Sequence, residues 1–317
     1  MKKKYIFLGL ILVCVLSCQK GPKQKKQVII FHAGSLAVPM KQLKQAFEKK
    51  NPSLTVLLEA SGSRTAARKV SDLHKPADIV ASADYSVIYN LLMPEYADFC
   101  INFASNEMSL VYTSKSKYYK EINSNNWPEI LLKKGVNYGH SDPNKDPCGY
   151  RSQLVWQLAE KFYQKKNLYQ DLKKNCPAKN VRPKEVDLLA LLETGYLDYI
   201  FLYRSVAIQH NLPYVSLPDK INLSQYKFDD FYQTAAVEIT GKNPGEVITQ
   251  KGKAIVYGIT LLKKPVNQDG ANKFLEFMLS REGLEIFNAL GQKAFSVPET
   301  AEFHKIPKSL KRIVKKK

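Results

Sequence analysis

The sequence predicts an α/β fold with largely parallel sheets. Short apolar segments alternate with helical patterns from Val28 to about Leu290, as expected for parallel strands joined by helices. The chain has 317 residues, of which 44% are hydrophobic and 24% charged, so it is long enough for two globular domains with buried cores. No internal repeat or low-complexity segment interrupts this body.

The strands are predicted from short apolar runs that end at turn-forming residues. In chain order they cover residues 28–31, 54–58, 77–81, 109–113, 136–139, 198–203, 213–217 and 255–262.

The helices are predicted from apolar residues spaced three and four apart, as at Met40, Leu43 and Phe47. That first helix should end at Asn51-Pro52, and further helices are expected over residues 64–73, 150–166, 185–193, 271–279 and 282–290. Asp84 and Ser205 are placed to cap short helices, and Gly195 and Gly291 follow helices where a terminating glycine belongs.

The N-terminus predicts export. Three lysines precede an apolar run in residues 1–17, too short to span a membrane and typical of a signal peptide. The segment Val15-Leu16-Ser17-Cys18 resembles the lipobox of bacterial lipoproteins, which implies cleavage before Cys18 and acylation of its thiol; the alternative is a plain signal peptide. Residues 18–26 would then be a lipidated tether, and the protein would be extracytoplasmic and anchored to the membrane.

The net charge of +19 is concentrated at the two ends. Fourteen basic residues and no acidic one lie in segments 1–17, 18–26 and 305–317, so residues 27–304 carry only +5. Arginine, the preferred residue for reading bases and phosphates, supplies seven of the 48 basic residues. We therefore expect that the protein does not bind nucleic acid. Residues 305–317 are expected to form a basic tail.

Three cysteines remain after the tether, Cys100, Cys148 and Cys176. Their odd number and their spacings of 48 and 28 predict neither a disulfide framework nor a metal-ligand cluster. At most one bridge could form.

Functional signals follow several of the strands. Ser35 comes after the first strand and Ser63 after the second, each with a glycine immediately before it. Where a strand leads into a helix, unpaired amides and the helix dipole favour an anion, and a serine adds a hydroxyl donor. Ordinary helix capping is the alternative explanation for either serine.

A third loop, residues 142–152, carries two Asp-Pro steps and a glycine ahead of a helix. Asp146 could be a functional carboxylate or simply the helix cap. Glu185 on its helix and Tyr203 at a strand end complete the polar set.

Catalytic motifs are absent from the sequence. No G-x-S-x-G elbow, P-loop or H-E-x-x-H occurs. Asp146 and Glu185 could form the carboxylate pair of a glycosidase, but no cluster of aromatic residues accompanies them. We expect no catalytic residue and no enzyme activity.

Seven motifs in one order carry a family resemblance. They are His32-Ala33-Gly34-Ser35-Leu36, Glu59-Ala60-Ser61-Gly62-Ser63, Ala77-Asp78-Ile79-Val80-Ala81-Ser82-Ala83-Asp84-Tyr85, Met93-Pro94-Glu95-Tyr96-Ala97-Asp98, Asp146-Pro147-Cys148-Gly149-Tyr150-Arg151-Ser152, Leu192-Glu193-Thr194-Gly195 and Tyr203-Arg204-Ser205-Val206-Ala207. Together they resemble the tungstate/molybdate-binding proteins of ABC transporters, the WtpA branch of the ModA-like family, from about Val28 to Pro298.

The resemblance implies a type II periplasmic-binding-protein fold with the ligand in a cleft between two lobes. Lobe 1 would be discontinuous, formed by residues 27–108 and 237–304, and lobe 2 would comprise residues 109–236. The crossovers between lobes would fall near Glu107–Val111 and Ala235–Ile239.

The resemblance also implies the ligand and its binding residues. A tungstate or molybdate oxyanion would be held by Ser35, Ser63, Asp146, Cys148, Gly149, Glu185 and Tyr203. Asp146 and Glu185 would coordinate the tungsten or molybdenum centre itself. The protein would deliver this ligand to an ABC transporter permease as a monomer without a cofactor. A binding protein for sulfate or phosphate, and a hydrolase that uses the two carboxylates, are the alternatives.

Overall fold

The structure is a computed structural model that describes residues 26–317. The predicted signal peptide, Cys18 and nearly all of the tether lie outside the described residues. Within residues 26–317, no helix combines the length and the apolar character that crossing a membrane requires.

The described chain alternates strands and helices, as predicted. The strands are β1 (Lys26–Ala33), β2 (Leu54–Ser61), β3 (Ile79–Ser82), β4 (Ile101–Ser105), β5 (Met108–Tyr112), β6 (Tyr138–Ser141), β7 (Val181–Arg182), β8 (Tyr199–Tyr203), β9 (Tyr214–Ser216), β10 (Ala236–Thr240), β11 (Val247–Lys251), β12 (Val256–Leu261), β13 (Lys293–Thr300) and β14 (Lys315–Lys316). The helices are α1 (Ala37–Lys50), α2 (Ser63–Ser71), α3 (Tyr85–Leu91), α4 (Trp127–Leu132), α5 (Pro147–Phe162), α6 (Leu168–Asn175), α7 (Leu188–Glu193), α8 (Arg204–Gln209), α9 (Asp229–Tyr232), α10 (Gln268–Met278) and α11 (Arg281–Ala289).

Two sheets define two lobes. The sheet of lobe 1 has the order β14-β13-β4-β12-β3-β1-β2, and β1 pairs in parallel with β2 and β3. The sheet of lobe 2 has the order β7-β6-β8-β5-β9. Both sheets are mixed and not largely parallel as predicted, since β12 is antiparallel to β3 and β4, and β5 is antiparallel to β8 and β9. A separate antiparallel hairpin consists of β10 and β11. Parallel strands place their carboxyl ends at one edge, so the loops after β1, β2 and β6 lie where ligands bind in open α/β sheets.

Most helix predictions hold at their ends as well as in their interiors. Met40, Leu43 and Phe47 are fully buried on α1. Asp84 caps α3 by accepting a hydrogen bond from the Ser86 amide at 2.8 Å. Gly195 adopts a φ of 77°, the left-handed conformation that commonly ends a helix.

Several helix starts differ from the prediction. Helix α10 begins at Gln268, three residues before Ala271, and α7 begins at Leu188 after a separate helical turn over Glu185–Asp187. Helix α5 begins three residues before Tyr150, because Pro147 can occupy the first turn of a helix. Ser205 does not cap α8; Tyr203 precedes that helix, and Ser205 lies inside it with its hydroxyl accepting from the Asn106 side chain at 2.8 Å.

The second crossover lies earlier than expected. The first crossover, between β4 and β5, falls near the predicted position. On the return, the Asn222 carbonyl accepts from the Met108 amide at 2.8 Å and the Leu223 carbonyl accepts from Ile255 at 2.8 Å, so this segment joins both lobes. The predicted boundary at residue 236/237 instead falls in β10, whose Ala236 backbone is held by Gln157 of α5 through two hydrogen bonds.

The basic tail is part of lobe 1 and not a separate segment. Strand β14 pairs in parallel with β13 at the edge of the sheet. Ile306, Leu310 and Val314 are buried against the lobe 1 core, while the lysines between them face solvent. The apolar residues of the tail therefore anchor it despite its charge.

Cys100, Cys148 and Cys176 are all free and buried. The single bridge that the sequence left open does not form among them. Their thiols fill core positions, as small apolar side chains do.

Replacing Leu310 by alanine should lower the free energy of unfolding by about 2–5 kcal/mol, because it leaves a cavity under the tail. Urea unfolding of the ligand-free protein measures the change. The matched control is Lys308→Ala, an exposed position in the same segment, which should stay within about 0.5 kcal/mol of wild type. Equal stability of the two variants would show that the tail does not contribute to lobe 1.

Candidate functional site

The predicted site lies where the two lobes touch. The loop before α2 in lobe 1 meets the loop before α5 in lobe 2, and the Thr65 amide donates to the Lys145 carbonyl at 3.2 Å. Two glycines make this approach possible: a Cβ atom on Gly62 would lie 2.3 Å from the Lys145 carbonyl oxygen, and one on Gly34 would lie 2.9 Å from Glu185 Oε2. The glycines ahead of Ser35 and Ser63 are thus needed for contact between the lobes.

Asp146 is both a cap and a link within lobe 2. Its Oδ1 accepts from the Cys148 amide at 3.1 Å, which caps α5, and its Oδ2 accepts from the Glu185 amide at 2.8 Å. The capping interpretation is therefore correct, and the carboxylate also fixes the start of the helical turn Glu185–Asp187.

Glu185 is the most unusual side chain of the site. It is 1% exposed, and neither carboxyl oxygen has a hydrogen-bond partner of normal geometry among the described residues. Burial raises the pKa of Glu185 well above its usual range, and the Asp146 carboxylate raises it further, whereas the Ser35 amide opposes the shift. Burial and the neighbouring carboxylate thus both favour the neutral form of the Glu185 carboxyl.

Three hydroxyls of the predicted set are oriented as donors. Ser63 Oγ accepts from the Ala83 amide at 2.9 Å. Ser35 Oγ accepts from the Tyr257 hydroxyl at 3.0 Å, and the Asn106 amide donates to that hydroxyl at 3.0 Å, which directs its hydrogen towards Ser35. Neither serine hydroxyl donates to another described residue, so each has a hydrogen available for a ligand.

Tyr203 follows the same pattern from lobe 2. Its hydroxyl oxygen accepts from Arg151 Nη1 at 2.7 Å. Burial raises the pKa of Tyr203 well above its usual range, so the phenol keeps its hydrogen at neutral pH. Its ring lies 6.1 Å from that of Tyr257, which brings it to the hydroxyls of lobe 1.

The backbone amides of Cys148 and Gly149 make hydrogen bonds within lobe 2. The Cys148 amide donates to the Asp146 carboxylate, and the Gly149 amide donates to the Asp146 carbonyl at 3.0 Å. Both bonds belong to the first turn of α5, so binding of an oxyanion by these amides stays a prediction. Gly149 has a packing role, since a Cβ there would lie 2.2 Å from the Ser141 carbonyl oxygen.

Sequence reasoning missed several residues of the site region. Ser61 and Ser141 end β2 and β6, and their buried hydroxyls have no hydrogen-bond partner among the described residues. Arg151 and Asp84 form a buried ion pair at 3.1 Å between the lobes. Asp84 and Arg151 belong to two of the family motifs, but only the fold shows that they are in contact.

Comparison with known proteins identifies relatives along the whole body. Residues 28–292 match the family described as bacterial extracellular solute-binding proteins. An uncharacterized solute-binding protein of Petrotoga mobilis is 54% identical over 289 residues, which cover 91% of this chain and 90% of that protein. The molybdate/tungstate-binding protein WtpA of Pyrococcus abyssi is 44% identical, with 96% of this chain and 95% of that protein covered.

Solved structures agree with the fold. The periplasmic molybdate-binding protein of Azotobacter vinelandii superposes with a TM-score of 0.60 at 16% identity, covering 84% of this chain and 98% of that one. The predicted α/β fold, a type II periplasmic-binding-protein fold with two lobes, is thereby confirmed.

Replacing Glu185 by glutamine should stabilise the ligand-free protein above pH 4.5, the ordinary pKa of glutamate, by an amount that grows with pH. The folded protein retains the Glu185 proton at pH values where the unfolded chain releases it. Wild-type stability therefore falls as pH rises from 4.5 to the folded pKa, and the glutamine variant lacks this loss.

Melting temperatures from pH 4 to pH 9 measure the effect. The control is Glu193→Gln, at an exposed position on α7, which should follow the wild-type curve. A difference between Glu185→Gln and wild type that does not change with pH would contradict a buried neutral acid.

Proposed function

We propose, from the premise that this chain belongs to the family of bacterial extracellular solute-binding proteins, that it captures tungstate or molybdate and delivers it to an ABC importer. The observation that carries the proposal is the buried pair Asp146 and Glu185 next to hydroxyls whose hydrogens are free. The Pyrococcus relative, named for these two oxyanions, supports the choice of ligand.

Each part of the site has a chemical role in this proposal. Ser35, Ser63 and Tyr203 donate to oxygens of the oxyanion. Asp146 and Glu185 coordinate the metal centre, since tungsten and molybdenum in high oxidation states are hard centres that take oxygen ligands. Glu185 gives up its proton when it coordinates, so its two unpartnered oxygens gain a partner only in the bound protein.

Sulfate and phosphate fit this arrangement less well. Both are bound through hydrogen-bond donors, and a carboxylate pair beside a tetrahedral anion adds repulsion without a compensating bond. Their sulfur and phosphorus atoms do not take extra oxygen ligands from a protein. The two carboxyls should therefore select for the metal oxyanions.

A hydrolytic role fits less well still. The carboxyls of glycosidases stand about 5–9.5 Å apart across a sugar. Those of Asp146 and Glu185 are neighbours within lobe 2, since the Glu185 amide donates to Asp146 Oδ2 at 2.8 Å and the Asp146 charge raises the pKa of Glu185. We therefore propose that the protein has no catalytic step, needs no cofactor, acts as a monomer and has no nucleic-acid partner.

We further propose that the protein is held at the outer face of a membrane by acylated Cys18. The lipobox-like Val15-Leu16-Ser17-Cys18 supports this, and the family is extracellular. A single anchored tether would keep the binding lobes near the permease.

Replacing Cys18 by alanine should release the protein from the membrane fraction, because the thiol that carries the lipid is lost. Fractionation of cells that express each form, followed by immunoblotting, measures this. Cys14→Ala is the matched control and should remain in the membrane fraction. Retention of Cys18→Ala would contradict acylation at this residue.

Calorimetric titration of the purified protein should give tight binding of tungstate and molybdate and no comparable binding of sulfate or phosphate. The purified chain must retain residues 305–317, because they pack on lobe 1. Equal affinity for sulfate would contradict coordination by the carboxyls, and absence of binding to all four anions would overturn the proposed function.

Asp146→Asn is the informative variant in the same titration. Asparagine keeps an oxygen that can cap α5, but its amide nitrogen cannot also accept from the Glu185 amide as Oδ2 does. We expect the tungstate affinity to fall by at least about 100-fold while the free energy of unfolding falls by only about 1–3 kcal/mol, the cost of one unpaired buried amide. A lower melting temperature with unchanged affinity would reduce Asp146 to a structural role.

A further inference from the structure

A buried polar network crosses from one lobe to the other beside the proposed oxyanion site. Its lobe 1 member is Asp84, which is 1% exposed and caps α3 through Oδ1. Its Oδ2 faces lobe 2, where the Tyr150 hydroxyl donates at 2.7 Å and Arg151 Nη2 lies at 3.1 Å. Lys253 adds a second cation 3.4 Å from Oδ1.

Arg151 contacts both lobes with one guanidinium. Its Nη1 donates to the Ala83 carbonyl of lobe 1 at 2.8 Å and to the Tyr203 hydroxyl of lobe 2 at 2.7 Å. Its Nη2 pairs with Asp84. The side chain is 2% exposed, so these contacts replace water almost completely.

The same short segment of lobe 1 also holds a ligand residue. The Ala83 amide donates to Ser63 Oγ at 2.9 Å, while the Ala83 carbonyl accepts from Arg151. A continuous chain of hydrogen bonds thus runs from Ser63 of lobe 1 through Ala83 and Arg151 to Tyr203 of lobe 2.

The direction of the hydrogen bond between Arg151 and Tyr203 determines whether the Tyr203 hydroxyl can donate to a ligand. A guanidinium only donates, so the Tyr203 oxygen is the acceptor and its hydrogen must point elsewhere. Within the described chain, no residue accepts that hydrogen. Arg151 therefore leaves the Tyr203 hydroxyl as a donor aimed away from the ion pair.

The charges of the network are compensated within it. Burial alone would raise the pKa of Asp84, but Lys253 and Arg151 hold it well below its usual range. A buried ion pair is tolerable when its polar atoms are satisfied, and it is costly when one partner is removed. This arrangement exists only while the two lobes are in contact.

We propose that Arg151 is a positioning residue of the oxyanion site, which ties Ala83 and Asp84 of lobe 1 to the Tyr203 hydroxyl of lobe 2 and sets that hydroxyl as a donor to the ligand. The inference rests on the proposed function. A planar guanidinium can reach three acceptors at fixed angles, whereas a lysine ammonium is a compact point charge that does not reproduce this fork.

A double-mutant cycle tests the proposal. Tungstate affinity is measured by calorimetry for wild type, Arg151→Lys, Tyr203→Phe and the double variant. We expect Arg151→Lys to weaken binding by about 30-fold and Tyr203→Phe by about 10-fold, with the double variant close to Arg151→Lys alone, because the Tyr203 hydroxyl contributes only while Arg151 holds it as a donor.

A matched pair in the same lobe provides the control. Arg204 lies 3.3 Å from the Tyr214 hydroxyl and 3.7 Å from Glu107, outside the proposed site. Arg204→Lys and Tyr214→Phe should leave tungstate affinity within about 2-fold of wild type. Ligand-free melting temperatures and circular dichroism of every variant establish that each is folded.

If Arg151→Lys does not fold, Asp84→Asn takes its place in the cycle, because it keeps Arg151 and removes only the carboxylate that holds it. We expect the same lack of additivity with Tyr203→Phe. If the fold-losses of tungstate affinity of the two single variants multiply in the double variant, the positioning role is overturned. A folded Arg151 or Asp84 variant with unchanged tungstate affinity would overturn it as well. Either result would leave the proposed function intact. Wild-type protein that binds no oxyanion would overturn both.

Discussion

Burial of an uncompensated carboxyl at the contact between the lobes is the constraint on which the site depends. Glu185 lies against Gly34 of the other lobe, and its oxygens have no hydrogen-bond partner of normal geometry among the described residues. A buried polar group without a partner destabilises a folded protein, so this carboxyl is retained at a cost. The glycines at the junctions, the neutral state of the acid and the oriented hydroxyls all follow from bringing the lobes together around it.

The contact between the lobes combines two kinds of buried polarity. Asp84 and Arg151 compensate each other's charge across the contact, although Arg151 Nη2 makes no hydrogen bond of normal geometry among the described residues. Both oxygens of Asp146 accept backbone hydrogen bonds, whereas the two oxygens of Glu185 have no such partner. A satisfied network rigidifies and specifies one arrangement, whereas an unsatisfied one provides binding free energy for a ligand that satisfies it. One set of buried charges thus joins the lobes, and the other is the pair that we propose for ligand selectivity.

Local patterns made much of this predictable. Strand ends, caps and stop signals depend on neighbouring residues, which is why Asp84, Gly195 and most strands were placed correctly. Ser35, Ser63, Asp146, Glu185 and Tyr203 were singled out because each follows or begins an element, and the structure brings them to one junction between the lobes. The hydrogen bonds of the Cys148 and Gly149 amides could not be foreseen, because they depend on how Asp146 turns its own carboxylate. The Arg151–Asp84 pair and the course of the β10–β11 hairpin depend on contacts between distant parts of the chain.

Strand β14, at the edge of the lobe 1 sheet, makes that sheet depend on the last residues of the chain. The sheet of lobe 2 uses only strands between Met108 and Ser216, so it can form from one continuous stretch. The sheet of lobe 1 joins β1 near the start of the described chain to β12, β13 and β14 at its end. Pairings between distant segments form late, since a long loop must close before they contribute. The sheet of the second lobe can therefore form from the chain up to Ser216, whereas the sheet of the first lobe needs the last lysines to complete its edge.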